Sequence, residues 1–155
     1  MIWLLSCLAM KRTWEFSADP APADPIVVRV AETRVQQKDA SIELSIVNQT
    51  DEPFEVELRQ SRLSLPDGEA WPAFVGDGKG TDFARLILGF QPKDEVLALP
   101  PGGDARAMVR VHQYGRDLRR HSALTLHLEL RVDGQALTVP VVLEAPSEAP
   151  MGEHI

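Results

Sequence analysis

An antiparallel β-sandwich of about seven or eight strands is the fold that this chain of 155 residues predicts. Three observations predict it. Apolar residues alternate with polar ones over many short segments, the period of a strand with one buried face. Clusters of Gly, Pro, Asn and Asp separate those segments. No stretch carries a long helical period.

The chain divides into three zones. Residues 1–25 join an apolar start to Ser17-Ala18-Asp19-Pro20-Ala21-Pro22-Ala23-Asp24-Pro25. Proline at every second or third place disfavours helix and ladder pairing, so an extended, solvated tether is expected. Residues 26–144 carry the alternating patterns of the domain. Residues 145–155, from Ala145-Pro146-Ser147 onward, read as a disordered tail.

A first strand is expected near Ile26 to Val35. Ile42, Leu44 and Ile46 then alternate with Glu43, Ser45 and Val47. The turn Asn48-Gln49-Thr50-Asp51-Glu52-Pro53 follows, rich in side chains that bond their own backbone. Phe54, Val56 and Leu58 form the next alternation, and Leu63 and Leu65 run into Pro66-Asp67-Gly68. A short strand is expected near Leu86 to Leu88, and Ala70 to Arg85 is expected to lack regular structure. Ala105, Ala107, Val109 and Val111 alternate after the break Pro100-Pro101-Gly102-Gly103. A helical turn fits near Gly115 to His121.

The C-terminal pattern is the sharpest. Leu124, Leu126, Leu128, Leu130 and Val132 alternate with polar residues up to Asp133-Gly134. That dipeptide suits a two-residue type I′ hairpin, whose two central residues both need positive φ. Leu137, Val139, Val141 and Leu143 continue the period. A two-residue loop sets Leu130 opposite Leu137, Leu128 opposite Val139, Leu126 opposite Val141 and Leu124 opposite Leu143. All then share one face, and a slip of one residue would destroy that match. Pro140 has no N–H, so its side of the strand is expected at a sheet edge.

Composition bounds the function. Hydrophobic content of 44% and charged content of 25% are those of a globular domain. A net charge of -7 argues against nucleic acid as a partner, which requires a basic stripe. The single cysteine excludes an internal disulfide and a cysteine-based zinc site.

That cysteine, Cys7, ends the run Leu4-Leu5-Ser6-Cys7. An apolar residue three before and a small one just before a cysteine is the order of a bacterial lipoprotein processing site. Ile2 to Met10 is too short for a spanning helix of ~20 residues. It is also short for a signal peptide, and Lys11 and Arg12 follow it instead of preceding it. Cys7 is therefore expected to carry a lipid if the true start lies upstream of Met1, and to be an ordinary thiol if it does not.

Chemistry elsewhere is sparse. In Gly76-Asp77-Gly78-Lys79-Gly80-Thr81-Asp82, Gly80 separates Lys79 from Thr81, so the phosphate-loop pattern fails. As a calcium loop it puts Lys79 at a ligand position and Leu88 where a bidentate Glu belongs. Trp71, Phe74 and Phe83 could form a binding platform, or fold back and plug the sandwich end. The plug is favoured, because aromatics bury large apolar area wherever they sit. Arg116, Arg119 and Arg120, beside His121, could hold an anionic headgroup, glycan or acidic partner. A solvated loop offsetting Asp104 and Asp117 is the favoured alternative. His112, His121, His127 and His154 lack metal-ligand spacing, so no metal and no cofactor is expected. No nucleophile–base signature occurs, and no enzyme is expected.

On the turn 48–53, the break Leu99-Pro100-Pro101-Gly102-Gly103 and the closing hairpin, residues 26–144 resemble bacterial immunoglobulin-like, telokin-like extracellular domains of small envelope lipoproteins. The resemblance implies an immunoglobulin-like sandwich in the cell envelope, lipid-anchored through Cys7, that binds a protein or surface polymer and catalyses nothing. The alternative is a cytoplasmic structural or assembly module without an anchor.

Overall fold

The alternating segments become ladders. In the computed structural model, which describes residues 13–93 and 95–147, ten strands pair antiparallel throughout. They are β1 (Ala21–Ala23), β2 (Ile26–Val35), β3 (Asp39–Asn48), β4 (Phe54–Leu58), β5 (Ser61–Ser64) and β6 (Ala70–Gly76). After helix α1 (Gly80–Ile87) come β7 (Val96–Leu99), β8 (Asp104–His112), β9 (Ala123–Val132) and β10 (Gln135–Glu144). A 3-10 turn, Leu118–Arg120, lies between β8 and β9.

One set of ladders runs β1-β2-β3-β8-β6. The other is built on β9, which takes β10 on one edge and β4 and β5 on the other, with β7 beyond β4. Strand β6 belongs to both: its first half pairs with β5, and Phe74 to Gly76 pair with β8. The path does not close into a barrel.

The core lies where the apolar faces of both sets meet. Ile42, Leu44 and Ile46 from one set, and Leu126, Leu128 and Leu130 from the other, are all buried in one cluster. The β9–β10 hairpin has the register its turn dictates, with Leu130 opposite Leu137 and Leu124 opposite Leu143. Asp133 and Gly134 both take positive φ, 48° and 81°. Pro140 sits in β10, which is an edge strand apart from one bridge to Ser17. In β2 the register shifts between Val30 and Glu32. That bulge lets Ile26 and Val28, then Thr33 and Val35, all point inward despite the change from even to odd positions.

The structure departs from the sequence expectation at four places. Among the described residues the strands number ten, since β1, β6 and β7 add to those the sequence predicts. Leu86 to Leu88 belong to the end of α1, not to a strand. The segment after Ala70 is ordered as β6 and α1. Residues 13–25 are extended but docked and not a free tether, while Glu15, Ser17, Asp19 and Pro20 stay exposed. Trp14 exchanges both backbone bonds with Val35, and Ser17 does so with Glu144, so the strap ties the outer edges of β2 and β10 together. Phe16 is buried, and Thr33 satisfies both its N–H and its carbonyl at 2.7 Å. Burying that ring outweighs the proline content, and β1 is an edge strand where proline costs no ladder bond.

Residues that follow α1 are stapled to β6 and to Asp77 just after it. The Gln91 amide bonds both the N–H and the carbonyl of Val75, acting as a piece of strand. Buried Glu95 accepts from the Asp77 N–H at 2.7 Å. A Cβ at position 76 would lie 3.1 Å from that Glu95 carboxylate and 3.2 Å from Pro92, so glycine permits the close approach.

Candidate binding face

The alternation that buries Ile42 and Leu44 turns Ser41 and Glu43 outward. The registers of β2, β3, β8 and β6 then set these outward residues in rows. Glu32, Glu43 and Met108 form one row. Arg34, Ser41, Arg110 and Phe74 form the next. Asp39 and His112 form a third. A basic row thus lies between two acidic ones.

Most of these charges are matched on the surface itself. Arg34 pairs with Glu32 at 3.1 Å, and Arg106 with Glu43 at 3.0 Å. His112 Nδ1 contacts the Asp39 carboxylate, and Tyr114 stands edge-on to the same ring at 4.6 Å. Ser41 donates to the Met108 sulfur at 3.5 Å. Arg110, half-buried, makes no ion pair among the described residues.

Helix α1 turns this platform into a groove. Leu86 is buried and anchors the helix, while Phe83 lines a cavity of about 380 Å³ with Glu32, Arg34, Asp39, Glu43 and Arg110. A smaller hollow of about 70 Å³ shares Asp39 and Arg110 and is lined by Phe74 and Leu86. Ile87, which also lines this hollow, is exposed at the end of the helix together with Leu88 and Phe90.

The residues singled out in the sequence are dispersed by the fold. Trp71 is half-buried against the core, whereas Phe74 and Phe83 lie beside the groove. Arg116 is spent on Asp67 at 3.0 Å and Glu69 at 2.6 Å. Arg119 and Arg120 both pair with Asp117. Burial raises the Asp117 pKa, but the side-chain and backbone bonds of Arg119 and the charge of Arg120 outweigh it, and the net shift is downward. Asp67 is lowered first by the Glu69 N–H and then by Arg116. Burial, then the charge of Arg116, lowers the pKa of His121. Burial, then Arg62, does the same for His127, whose Nε2 lies 2.8 Å from the Ser64 hydroxyl.

Cys7 and His154 lie outside the described residues. Asp77 caps its own loop by accepting from the Lys79 N–H at 2.8 Å. Among the described residues no group of three His, Cys, Asp or Glu is placed to hold a metal ion. None of their helices is long and apolar enough to cross a membrane.

Sequence reasoning did not single out Arg110, Asp39, Ser41 or Glu43. Their signal was present only as outward positions on strands. Which strands neighbour one another, and hence which rows form, is decided by pairing between distant segments. No protein-family model, curated protein or solved structure matches the chain.

Proposed function

We propose that the chain is a non-catalytic domain of the bacterial cell envelope that binds a protein or surface polymer through the outer face of β2, β3 and β8. One observation carries this reading: a groove on a sheet, walled by Phe83, in which half-buried Arg110 has no ion-pair partner among the described residues. A site built on strands is held by the ladders beneath it. The arrangement supplies charge and apolar contact, which suits recognition.

The finer fold reading is immunoglobulin-like. The orders β2-β3-β8-β6 and β10-β9-β4 correspond to the A-B-E-D and G-F-C layout of such sandwiches. The envelope location rests on Leu4-Leu5-Ser6-Cys7, and the anchor would be a lipid on Cys7. Expression from the full gene in a bacterial host, with metabolic lipid labelling and membrane fractionation, tests it. Label in the membrane fraction that Cys7→Ser abolishes is the expected result. An unlabelled cytosolic protein with a free Cys7 thiol would remove the envelope reading. The second reading, a cytoplasmic assembly module, draws on exposed Ile87, Leu88 and Phe90. Self-association with no membrane-bound fraction would favour it.

A further inference from the structure

We propose that the groove between Phe83 and the β2–β3–β8 platform is a saccharide site that takes an acidic sugar, with a hexuronate carboxylate on Arg110. The inference deepens the reading of the chain as a binding domain and rests on it. At about 380 Å³ the groove falls at the small end of small-molecule sites, which span roughly 300–1,000 Å³. One or two sugar units suit that size better than a folded surface.

The charge pattern selects the ligand. Arg110 offers a guanidinium fork matched to a carboxylate, and no protein carboxylate pairs with it among the described residues. Glu32, Glu43 and Asp39 line the same groove. A phosphate monoester, with close to two charges, would add strong like-charge repulsion or need more than one cation, whereas a single carboxylate needs one. Each of these acids also has an oxygen to spare. Glu32 and Glu43 use Oε1 in their ion pairs, and Asp39 uses Oδ1. Their second oxygens accept no protein bond among the described residues, and carboxylate oxygens accept well from hydroxyls. A sugar acid carries both kinds of group on one ring. Phe83 and Met108 supply apolar contact for its C–H face.

The floor argues against a peptide. The backbone N–H and carbonyl groups of β3 are committed to β2 and β8, so the groove presents side chains and no free strand edge. Recognition there must pass through side-chain donors and acceptors, as hydroxyl-rich ligands require.

The test uses the full chain with 13C-labelled methionine methyls, the Met108 signal being assigned with Met108→Leu. Oligogalacturonate should give a saturable Met108 shift, and a neutral galactose oligomer of equal length should not. Arg110→Gln should weaken binding by about tenfold or more with an unchanged thermal midpoint. Arg116→Gln should leave binding unchanged. The site assignment is overturned by no saturable shift up to about 10 mM. It is equally overturned if Arg110→Gln binds within about twofold of the parent, or if the neutral oligomer or a free-carboxylate peptide binds as tightly. Lipid labelling separates the two claims. A lipid-anchored protein that ignores uronates loses the site and keeps its envelope reading. A uronate binder that stays unlabelled in the cytosol loses the envelope reading and keeps the site.

Discussion

Two arginine-bearing regions of the molecule look alike in composition and differ in what their charges do. The loop before β9 holds Arg116, Arg119 and Arg120, and each has an acidic partner within 3.4 Å. The outer face of β8 holds Arg110, which has none among the described residues, although three carboxylates line the same groove. In the loop the cations serve the fold. Asp117 accepts from the Arg119 N–H at 3.1 Å and so caps the 3-10 turn that carries buried Leu118 into the core. Gln113 clasps the same loop through the N–H and carbonyl of Arg116. A dense cluster of like charges therefore marks an architectural joint, and a single cation on a plain strand marks the candidate site.

Substitutions in the two regions should separate these roles. The largest effect is expected from Asp117→Ala. It removes the carboxylate that pairs with Arg119, whose side chain is 12% exposed, and with Arg120, and it removes a turn cap. Loss of about 2–4 kcal/mol in urea unfolding is expected, below the value for a fully buried pair because water still reaches Arg120. An effect under about 0.5 kcal/mol would show that the loop is not a structural joint.

Gln113→Ala comes next, at about 1–3 kcal/mol, because it orphans backbone groups around a buried amide. The same unfolding experiment reads it, and an unchanged midpoint would mean that water replaces the clasp.

The pH dependence should be smaller. His121 in the loop has a pKa below its ordinary 6.5, from burial and then from the charge of Arg116. The unfolded chain therefore binds a proton more readily than the folded one. His121 thus favours the folded state above pH 6.5, and that contribution is lost as pH falls below it. His121→Gln should flatten the stability profile between pH 7 and pH 5, and an identical slope would contradict the assignment.

The smallest effect on stability is expected at the groove. Arg110→Gln breaks no ion pair among the described residues, so unfolding stability should change by less than about 0.5 kcal/mol. A larger loss would make Arg110 a packing residue and erase the difference between the two regions.

Much of the fold was legible because some segments carry two independent signals. In β9 and β10 the strict alternation and Asp133-Gly134 specify the same register, and no other pairing buries both Leu128 and Val139. The turn at Asn48 was legible for a similar reason. Its side chain bonds Thr50 and the Glu52 carbonyl locally, then also reaches the carbonyls of Leu99 and Pro100. Segment 70–95 was not legible. Strand β6 changes partners halfway, so its outward and inward positions do not keep one period. Helix α1 has eight residues, too few for a helical period to stand out from Leu86-Ile87-Leu88 read as a strand. The strap was misread because Pro20, Pro22 and Pro25 dominate its composition, while Phe16 and Trp14 decide its docking.

The candidate site divides in the same way. Phe74 and Phe83 stood out as aromatics outside any regular pattern, but nothing local separates Arg110 from Arg106 or Arg131, which also alternate outward.

By itself the sequence determined the all-β class, the closing hairpin with its register and the two-faced character of each long strand. Those features follow from side-chain period and turn chemistry, which act over a few residues. Only the tertiary structure decided that β6 joins both sets of ladders, that the strap crosses from β2 to β10, and that α1 stands beside β8. It alone set Arg110 and Phe83 in one groove, with no ion pair to Arg110 among the described residues. These outcomes depend on contacts between residues tens of positions apart, where burial and pairing compete across the whole chain and no local pattern records the result.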